Sequence, residues 1–547
     1  MITNDLQMVV ILIVSAVGLF FLAGYAEKVK SSMWRLLYLI PALIAFFFVW
    51  LAGFEVALIP AYIAAVLVAA GFLYEKVSIR RITCLIGAGL TAFAILLCNV
   101  YPGYRMPDFV AEFENAFATM REHYCLTEHK GIDWDLLHEK YRAKFESANK
   151  NHDKVENLLA WVEFTGEFYD GHVYYSTEDE EITKEAGNRA YGNDFGLSLV
   201  LLSDGRVAAA NVESGSEAQK AGLYNGAIVT LWDGKDPKEL AKDFPYPFMN
   251  MPDAGNEEFY NMLAVAGMGD EQVTVDFVDK DGNAKQVRLQ AQGYYYERFK
   301  ATLETIDQGM NIGTLTFHVV NEDTVLYRIK GMSYDQKSYM NGDHSQFKEE
   351  FRQQILKYRE AGMKNLIIDL RCNGGGSPQM IMAMAELLGS EESHFYCQSA
   401  VLDEKTCKFM KEETTGKYLV CDPISFTGEN LWGDRKIILL VNGQCISAGD
   451  HFVQVMGDMD NVTVTGFTKS NASGQAICST VAAGGVLTFS SVPSLDENGE
   501  IYIDTGKDHK SNVAFDVQIP LDSAAVYSLF DDGEDYALNY VVENLLK

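Results

Sequence analysis

Four long apolar runs dominate the first hundred residues of this chain. They extend over residues 8–25, 33–53, 56–74 and 82–101. Each has about 18 to 21 residues, the length that an α-helix needs to cross roughly 30 Å of hydrocarbon. A cleaved signal peptide would offer a single, shorter apolar region. The sequence therefore predicts a four-helix transmembrane anchor over residues 1–103.

The distribution of basic residues predicts how such an anchor is oriented. Lysine and arginine flank the first connection at positions 28, 30 and 35 and the third at positions 76, 80 and 81, whereas the second carries only Glu55. Cytoplasmic loops are enriched in these cations, so the first and third connections are expected in the cytoplasm. The predicted localisation is the cell membrane, multi-pass, with the C-terminal part extracytoplasmic.

Charge and composition exclude several classes of partner. The chain has 547 residues and a formal net charge of −30. Nucleic-acid binding depends on clustered Lys and Arg that release counterions from phosphates, so nucleic acid is not an expected partner. The nine cysteines form no Cys-x-x-Cys pair, which argues against a zinc or thioredoxin-like site. No metal and no cofactor is predicted.

After the apolar runs, the sequence pattern divides the chain into three further domains. Residues 104–188 have helical periodicity, with Phe113 and Phe117 on one face. Residues 189–295 contain short alternating runs separated by turn signals, which is typical of a small β-rich module. Residues 296–547 alternate strands with helices, as expected for an α/β sheet with crossover helices. The predicted fold class is thus multi-domain, with an α+β region after the anchor.

Two turns in the last domain contain the residues best suited to chemistry. The first is DLRCNGGG, residues 369–376, where three glycines follow a buried strand and can bring backbone N–H groups close to a ligand. The second is LLVNGQCISAGDHF, residues 439–452, which places Ser447 at a predicted helix N-terminus. There the dipole and the free N–H groups favour a developing anion. Taken alone, the first turn also fits a phosphate loop, and the serine also fits a simple helix cap.

Together and in this order, the two turns resemble the serine peptidase family of the C-terminal processing peptidases, the tricorn core and the interphotoreceptor retinoid-binding proteins. The segment YDGHVYY, residues 169–175, and the segment GKDHKSNVAFDVQIPL, residues 506–521, follow the family order. The resemblance covers nearly all of residues 105–547. It implies an α/β catalytic core of the ClpP and crotonase type, and a serine endopeptidase that cleaves polypeptides by acyl transfer.

The resemblance also implies roles for individual residues. Ser447 would be the nucleophile of the peptidase. The backbone N–H groups of Ala448 and of a glycine in the turn at Gly374 and Gly375 would form the oxyanion hole. A glycine turn and a helix N-terminus both present N–H groups, which is what a tetrahedral oxyanion requires.

The sequence offers two candidates for the base that activates the serine. In processing peptidases it is a lysine, but the matching stretch GFTKSNASG, residues 466–474, has Ala472 at that position. Lys469 could replace it only if the loop shifts and buries the amine enough to lower its pKa. His172 is the second substitute, because its segment corresponds to the one that delivers the histidine of tricorn-like members. Imidazole already has a suitable pKa.

A Ser–His pair normally includes a third group that holds the imidazole ring. The resemblance suggests Asp504, which stands where tricorn-like members have a glutamate, with Asp170 in reserve. His451 follows Ser447 by four residues and would share a helix face with it. We predict that His451 packs rather than acts as the base.

Residues 195–234 resemble a PDZ domain, which adds a peptide as a strand and captures its terminal carboxylate. The peptide-binding turn would be Phe195, Gly196 and Leu197. The alternative is a β-module that only packs against its neighbours. The expected partners are polypeptide substrates, including their C-termini, and the oligomeric state does not follow from the sequence.

A second function on the same fold is a catalytically inactive protein that binds or senses peptides or lipids, as the retinoid-binding relatives bind lipids. Retention of Ser447 together with an Asp-Gly-His segment favours catalysis. Geometry separates the two functions, because an enzyme should place His172 within about 3 Å of Ser447.

Overall fold

The structure is a computed structural model of the chain. It divides into two compact units, residues 1–112 and 113–547, and each is described by itself. The residues that the structure describes are 16–19, 40, 43–44, 47, 55–73, 76–100, 108–307, 309, 312–403, 405, 408–482 and 484–547.

The first unit contains the helices α1 (Glu55–Leu73) and α2 (Val77–Val100). Among the described residues, no helix is both long enough and apolar enough to cross a membrane. A membrane-crossing helix must be apolar over about 20 residues, whereas α1 has 19 residues and begins with the charged Glu55, and α2 includes the charged Arg80 and Arg81. The predicted four-helix transmembrane anchor and the multi-pass membrane localisation are wrong on this finding. The first two predicted spans lie almost entirely outside the described residues.

A helical part follows, and aromatic side chains form its core. Its helices are α3 (Phe109–His123), α4 (Thr127–Lys130), α5 (Trp134–Asn151), α6 (Lys154–Gly166) and α7 (Glu180–Tyr191). Asp133 and Asp153 cap α5 and α6 by accepting hydrogen bonds from N–H groups of their first turns. The ring centroids of Phe113 and Phe145 are 4.3 Å apart, and those of Phe145 and Trp161 are 4.7 Å apart. These ring contacts stabilise the helices by burying their apolar faces.

Five strands then form an antiparallel sheet. In spatial order they are β2 (Ser198–Leu201), β3 (Val207–Ala210), β4 (Ile228–Trp232), β5 (Gln272–Val278) and β6 (Ala284–Gln290). The helices α8 (Glu217–Lys220), α9 (Pro237–Lys242) and α10 (Ala254–Val265) lie between strands, and α11 (Tyr296–Asp307) follows. Leu199 of β2 shares a hydrophobic core with Met262 and Leu263 of α10. The sheet therefore has one face buried against a helix, as antiparallel sheets commonly do.

A six-stranded sheet forms the centre of the last part. Its order is β19 (Val517–Gln518), β15 (Val462–Gly466), β14 (Lys436–Leu440), β9 (Asn365–Asp369), β8 (Thr324–Arg328) and β7 (Thr316–Val319). Neighbouring strands are parallel except for β7 and β8. Leu366 and Ile368 belong to the core on one face and Ile367 to the core on the other. Burial on both faces explains why the central strands are continuous apolar runs.

Helices and smaller sheets surround this sheet. The helices are α12 (Gln336–Asn341), α13 (Ser345–Glu360), α14 (Pro378–Leu388), α15 (Ala448–Gly457), α16 (Ser523–Tyr527) and α17 (Tyr536–Tyr540), with π-helical turns at Ser528–Asp532 and Val541–Leu545. One small sheet has the order β1 (Tyr174–Ser176), β17 (Gly485–Val492), β16 (Ala476–Ala482), and another the order β13 (Val420–Thr427), β10 (Ser393–Ala400), β18 (Ser494–Leu495). The strands β11 (Leu402–Asp403) and β12 (Lys408–Phe409) form a hairpin. Because β1 pairs with β17, the segment after His172 is joined to the last part of the chain.

Candidate active site

The turns that follow β9 and β14 are hydrogen-bonded to each other. The N–H of Cys372 donates to Oδ1 of Asn442 at 2.9 Å, and the N–H of Ile446 donates to the carbonyl of Asn373 at 2.9 Å. Such contacts arise because neighbouring parallel strands end at the same edge of the sheet. They hold the glycine turn that follows β9 in contact with the segment that contains Ser447.

Ser447 has a strained backbone at the N-cap of α15, with φ 63° and ψ −122°. Residues with a Cβ rarely adopt a positive φ, and such strain clusters at functional sites. The serine side chain makes no capping hydrogen bond. The side chain of Ser447 therefore does not act as a helix cap. Ser447 lines a cavity instead.

The N–H groups predicted for the oxyanion hole have different surroundings. Gly374 N–H donates to the carbonyl of Lys330 at 3.0 Å, and Gly375 N–H donates to a side-chain oxygen of the same turn at 2.9 Å. Among the described residues, the N–H groups of Ala448 and Gly376 have no acceptor. Gly376 was not singled out from the sequence, since no local signal distinguishes three consecutive glycines.

His172 reaches the cavity on a loop that Asp170 holds in place. Oδ1 of Asp170 accepts the His172 N–H at 2.9 Å, and Oδ2 accepts from the hydroxyls of Tyr124 at 3.1 Å and Ser490 at 2.8 Å. The His172 residue is only 5% exposed. Burial lowers the pKa of His172 below its ordinary value, and the charge of Asp170 opposes this shift. The imidazole is therefore neutral at neutral pH, as a general base must be.

Ser473 connects the His172 loop to the nucleophile. Its carbonyl accepts the N–H of Ser447 at 3.0 Å, and its hydroxyl accepts the N–H of Gly171 at 2.8 Å. Asp450, which is fully buried, accepts the N–H groups of Ala472 and Ser473 at 3.1 Å each. Burial raises the pKa of Asp450 to about 7, and these hydrogen bonds oppose the shift. Sequence reasoning missed Ser473, because an isolated serine in a loop has no recognisable signal.

His172 and Ser447 line the same cavity, whose volume is ≈ 890 Å³. Much of its wall is apolar: Phe248, Met249, Ile424, Ile446, Ile477 and Val492. Within the described part of the chain, no hydrogen bond joins the Ser447 hydroxyl to the His172 ring, and Nδ1 of His172 is buried without a partner. The hydrogen bond expected of a Ser–His pair is thus not formed in this conformation. Catalytic hydrogen bonds of free enzymes are often long and tighten only with substrate.

Asp504, the residue predicted to hold the imidazole, makes other contacts. Its Oδ1 accepts from the ammonium of Lys130 and from the N–H of Thr505, the latter at 2.8 Å. The side chains of Lys130 and Asp504 are 2% and 0% exposed. Burial raises the pKa of Asp504, and the Lys130 ammonium opposes this shift. Sequence reasoning missed Lys130, which lies 374 positions before its partner.

Lys469, the alternative base, has a different partner. Its Nζ lies 3.2 Å from Oδ2 of Asp253 and 3.4 Å from the carbonyl of Ser511. Asp253 also accepts the N–H of Gly255 in the first turn of α10. Lys469 is not among the residues that line the cavity. In this structure it anchors its loop to α10.

His451 is a second imidazole on the cavity wall. Its Nε2 lies 2.7 Å from the carbonyl of Gly474, and its ring centroid lies 5.3 Å from that of Tyr396. Burial lowers the pKa of His451 to about 4. The ring is therefore neutral and serves to fix the segment at Gly474.

The predicted peptide-binding turn lies at the start of β2. Phe195 and Leu197 are 2% and 0% exposed. The N–H of Gly196 donates to Oδ1 of Asp194 at 2.8 Å, and its carbonyl accepts the N–H of Glu213 at 2.9 Å. A peptide carboxylate would have to compete with Asp194 for this N–H.

Comparison with known proteins adds to this geometry. Mature CPAF complexed with lactacystin is 14% identical, covers 82% of this chain and 98% of its own, and has a TM-score of 0.53. The photosystem II D1 C-terminal processing protease is 16% identical, covers 76% of this chain and 93% of its own, and has a TM-score of 0.33. No curated protein matches the chain. At such identities the likeness to CPAF concerns the fold.

Family models match two segments of the chain. Residues 108–158 match the tricorn protease C1 domain, and residues 328–509 match peptidase family S41. The second segment includes the glycine turn, Ser447 and Asp504. The two matches follow the order in which the chain builds its helical part and its α/β core. With Ser447 uncapped and lining one cavity with the neutral imidazole of His172, these matches lead to one conclusion: residues 328–509 belong to peptidase family S41, and the chain is a serine peptidase.

Proposed function

We propose that this peptidase cleaves polypeptides by acyl transfer at Ser447, with His172 as the general base. The observation that carries the proposal is the presentation of Ser447. Its backbone is strained, its hydroxyl makes no capping bond, and it shares a cavity with a buried imidazole. A serine nucleophile needs a neutral general base within reach, and the two side chains line one cavity.

In the first step Oγ of Ser447 attacks the scissile carbonyl carbon while the imidazole of His172 takes the hydroxyl proton. The tetrahedral intermediate places its negative charge on the former carbonyl oxygen. Its collapse breaks the C–N bond, and the imidazolium returns the proton to the leaving amine. Water then hydrolyses the acyl-enzyme by the same proton transfers, releasing the new C-terminus and restoring the serine.

The oxyanion requires N–H donors that are not engaged elsewhere. Among the residues that the structure describes, Ala448 N–H at the start of α15 and Gly376 N–H in the glycine turn have no acceptor and meet this requirement. The predicted donors at Gly374 and Gly375 serve only if the turn rearranges and breaks their present hydrogen bonds. A helix N-terminus adds its dipole to the stabilisation of the anion.

The five-stranded module is the proposed site of substrate capture. A peptide would add as a strand beside β2 and present its carboxylate to the turn at Phe195, Gly196 and Leu197. This finer assignment depends on release of the Gly196 N–H from Asp194. The apolar wall of the catalytic cavity suits extended polypeptides with apolar side chains.

The experiment that tests the proposal is labelling of the full-length chain with a fluorophosphonate, followed by mass spectrometry of the modified peptide. We expect one adduct, on Ser447. Lys469→Met should keep the labelling rate, because Lys469 is held by Asp253 outside the cavity. Loss of labelling in Lys469→Met would instead support Lys469 as the base of a Ser–Lys pair. Absence of any adduct on the folded wild type would favour the non-catalytic binding protein.

The pH dependence of labelling gives a separate prediction. The base must be neutral, so the rate should fall as pH drops through the pKa of His172. Burial lowers this pKa below 6.5, and the charged or titratable groups that act on the ring are Asp170 and His451. The half-maximal rate should therefore lie below pH 6.5, measured as the labelling rate between pH 4 and 8 with folding monitored in parallel. A half-maximal point above pH 6.5 would contradict His172 as the base.

A further inference from the structure

A buried ion pair lies behind the loop that carries His172. Lys130, the last residue of α4, donates to Oδ1 of Asp504, to the carbonyl of Tyr169 at 2.7 Å and to the hydroxyl of Thr505 at 3.1 Å. These three acceptors use all three N–H groups of the ammonium. The side chains of Lys130 and Asp504 are almost completely inaccessible.

Stability alone is a weak reason for such a pair. Removing two charges from water costs several kcal/mol for each ion, and well-packed apolar residues often replace a buried pair without loss of stability. One carboxylate oxygen of Asp504 is moreover buried without a partner. Hydrogen bonding therefore does not fully offset the free energy of desolvating the two charges.

The hydrogen bond from Lys130 to the carbonyl of Tyr169 indicates what the pair does. Tyr169 has φ 46°, in the left-handed region that non-glycine residues rarely adopt. It is the first residue of the loop Tyr169-Asp170-Gly171-His172. The orientation of its carbonyl therefore fixes the direction of the chain at the start of this loop. The other anchors of the loop are Asp170, bonded to Tyr124 and Ser490, and Gly171, bonded to Ser473. Lys130 is the only charged donor among these anchors within the described residues.

We propose that Lys130 is a positioning residue, which holds the His172 ring beside Ser447 through its hydrogen bond to the carbonyl of Tyr169. In this arrangement Asp504 compensates the charge of Lys130 and does not hold the imidazole. The inference rests on the proposed function, because it concerns how the base of that reaction is placed.

The test separates placement of the base from stability of the fold. The full-length chain is treated with a fluorophosphonate over a range of concentrations, giving the limiting rate kinact and the half-saturation constant KI, and melting temperatures are recorded in parallel. The variants are Lys130→Met, Asp504→Asn and two neutral double variants, Lys130→Met with Asp504→Asn and Lys130→Gln with Asp504→Asn. Arg352→Met is the matched control, since it breaks the ion pair with Glu429 away from the cavity.

The single variants should be the least stable, because each leaves one buried charge without its partner. Both double variants should regain stability. In the Met double variant kinact should stay about 100-fold below the wild type with KI nearly unchanged, the loss expected for a misplacement of about 1 Å. The Gln double variant retains a donor for the carbonyl of Tyr169 and should inactivate about tenfold faster than the Met double variant. Arg352→Met should keep kinact.

Two outcomes would overturn the inference while leaving the proposed function intact. The first is a Met double variant that regains the kinact of the wild type, since the pair would then serve stability alone. The second is an equal kinact in the two double variants, since a donor to Tyr169 would then have no effect. A folded wild type that forms no adduct would instead overturn the proposed function, and this inference with it.

Discussion

Replacing Ser447 by alanine should abolish labelling, because the adduct forms on Oγ, and should lower the hydrolysis rate by at least about 1,000-fold, because only the oxyanion donors and substrate binding remain. The fold should survive the change. The serine side chain makes no capping hydrogen bond, and alanine meets the same backbone strain at φ 63°. The melting temperature should therefore stay within about 2 °C of the wild type.

A glycine at the same position sharpens this prediction. Ser447→Gly also removes the hydroxyl, but glycine adopts a positive φ without steric cost. This variant should be as inactive as Ser447→Ala and more stable than the wild type by about 1 kcal/mol. Thermal unfolding and fluorophosphonate labelling of the two variants test this combination. A hydrolysis rate that survives in both purified variants would show that Ser447 is not the nucleophile.

The second large effect is expected at Gly375, where a methyl group has no room. A Cβ added there would lie 2.5 Å from Cβ of Ser447 and 2.9 Å from the carbonyl oxygen of Ile446. The residue also has φ 79°, which strains any side chain by about 1–3 kcal/mol. Gly375→Ala should therefore displace the nucleophile and lower kinact about 100-fold, the cost of a misplacement near 1 Å.

Two other glycines calibrate this effect. A Cβ at Gly293, outside the cavity, would meet nothing within 4 Å, so Gly293→Ala should keep the wild-type rate. Gly374 precedes Gly375 in the same turn, and a Cβ there would also meet nothing within 4 Å. Gly374→Ala keeps its N–H and should lose far less activity than Gly375→Ala. Equal losses at the two neighbouring positions would mean that steric pressure on Ser447 is not the cause.

The two turns proposed to be catalytic could be singled out from the sequence because each is a local pattern. A strand that runs into glycines, and a serine that follows Asn-Gly and begins a helix, are patterns of a few adjacent residues. Parallel strands end at one edge of a sheet, so their order along the chain was enough to place the turns at that edge. The family resemblance then indicated which serine to consider, and the S41 match includes it.

The length of an apolar run was not enough to predict a membrane-crossing helix in this chain. Their lengths predicted four membrane spans, but among the described residues no helix meets the combined requirement of length and apolarity. The length of an apolar run measures hydrophobicity along the chain. It does not determine where a helix begins, as α2 shows by starting at Val77, before its apolar run, and including Arg80 and Arg81.

The sequence by itself was enough to single out the glycine turn and Ser447 as candidates, because each belongs to a pattern of a few adjacent residues. The family resemblance depended on the order of these segments along the chain. Only the tertiary structure decided the partners of the buried charges and of the loop that carries His172. Lys130 pairs with Asp504 across 374 positions, and Gly171 bonds Ser473 across 302 positions. The physical reason is that a buried charge must be compensated by whatever group the packed chain brings within hydrogen-bonding distance. No local pattern states which group that will be.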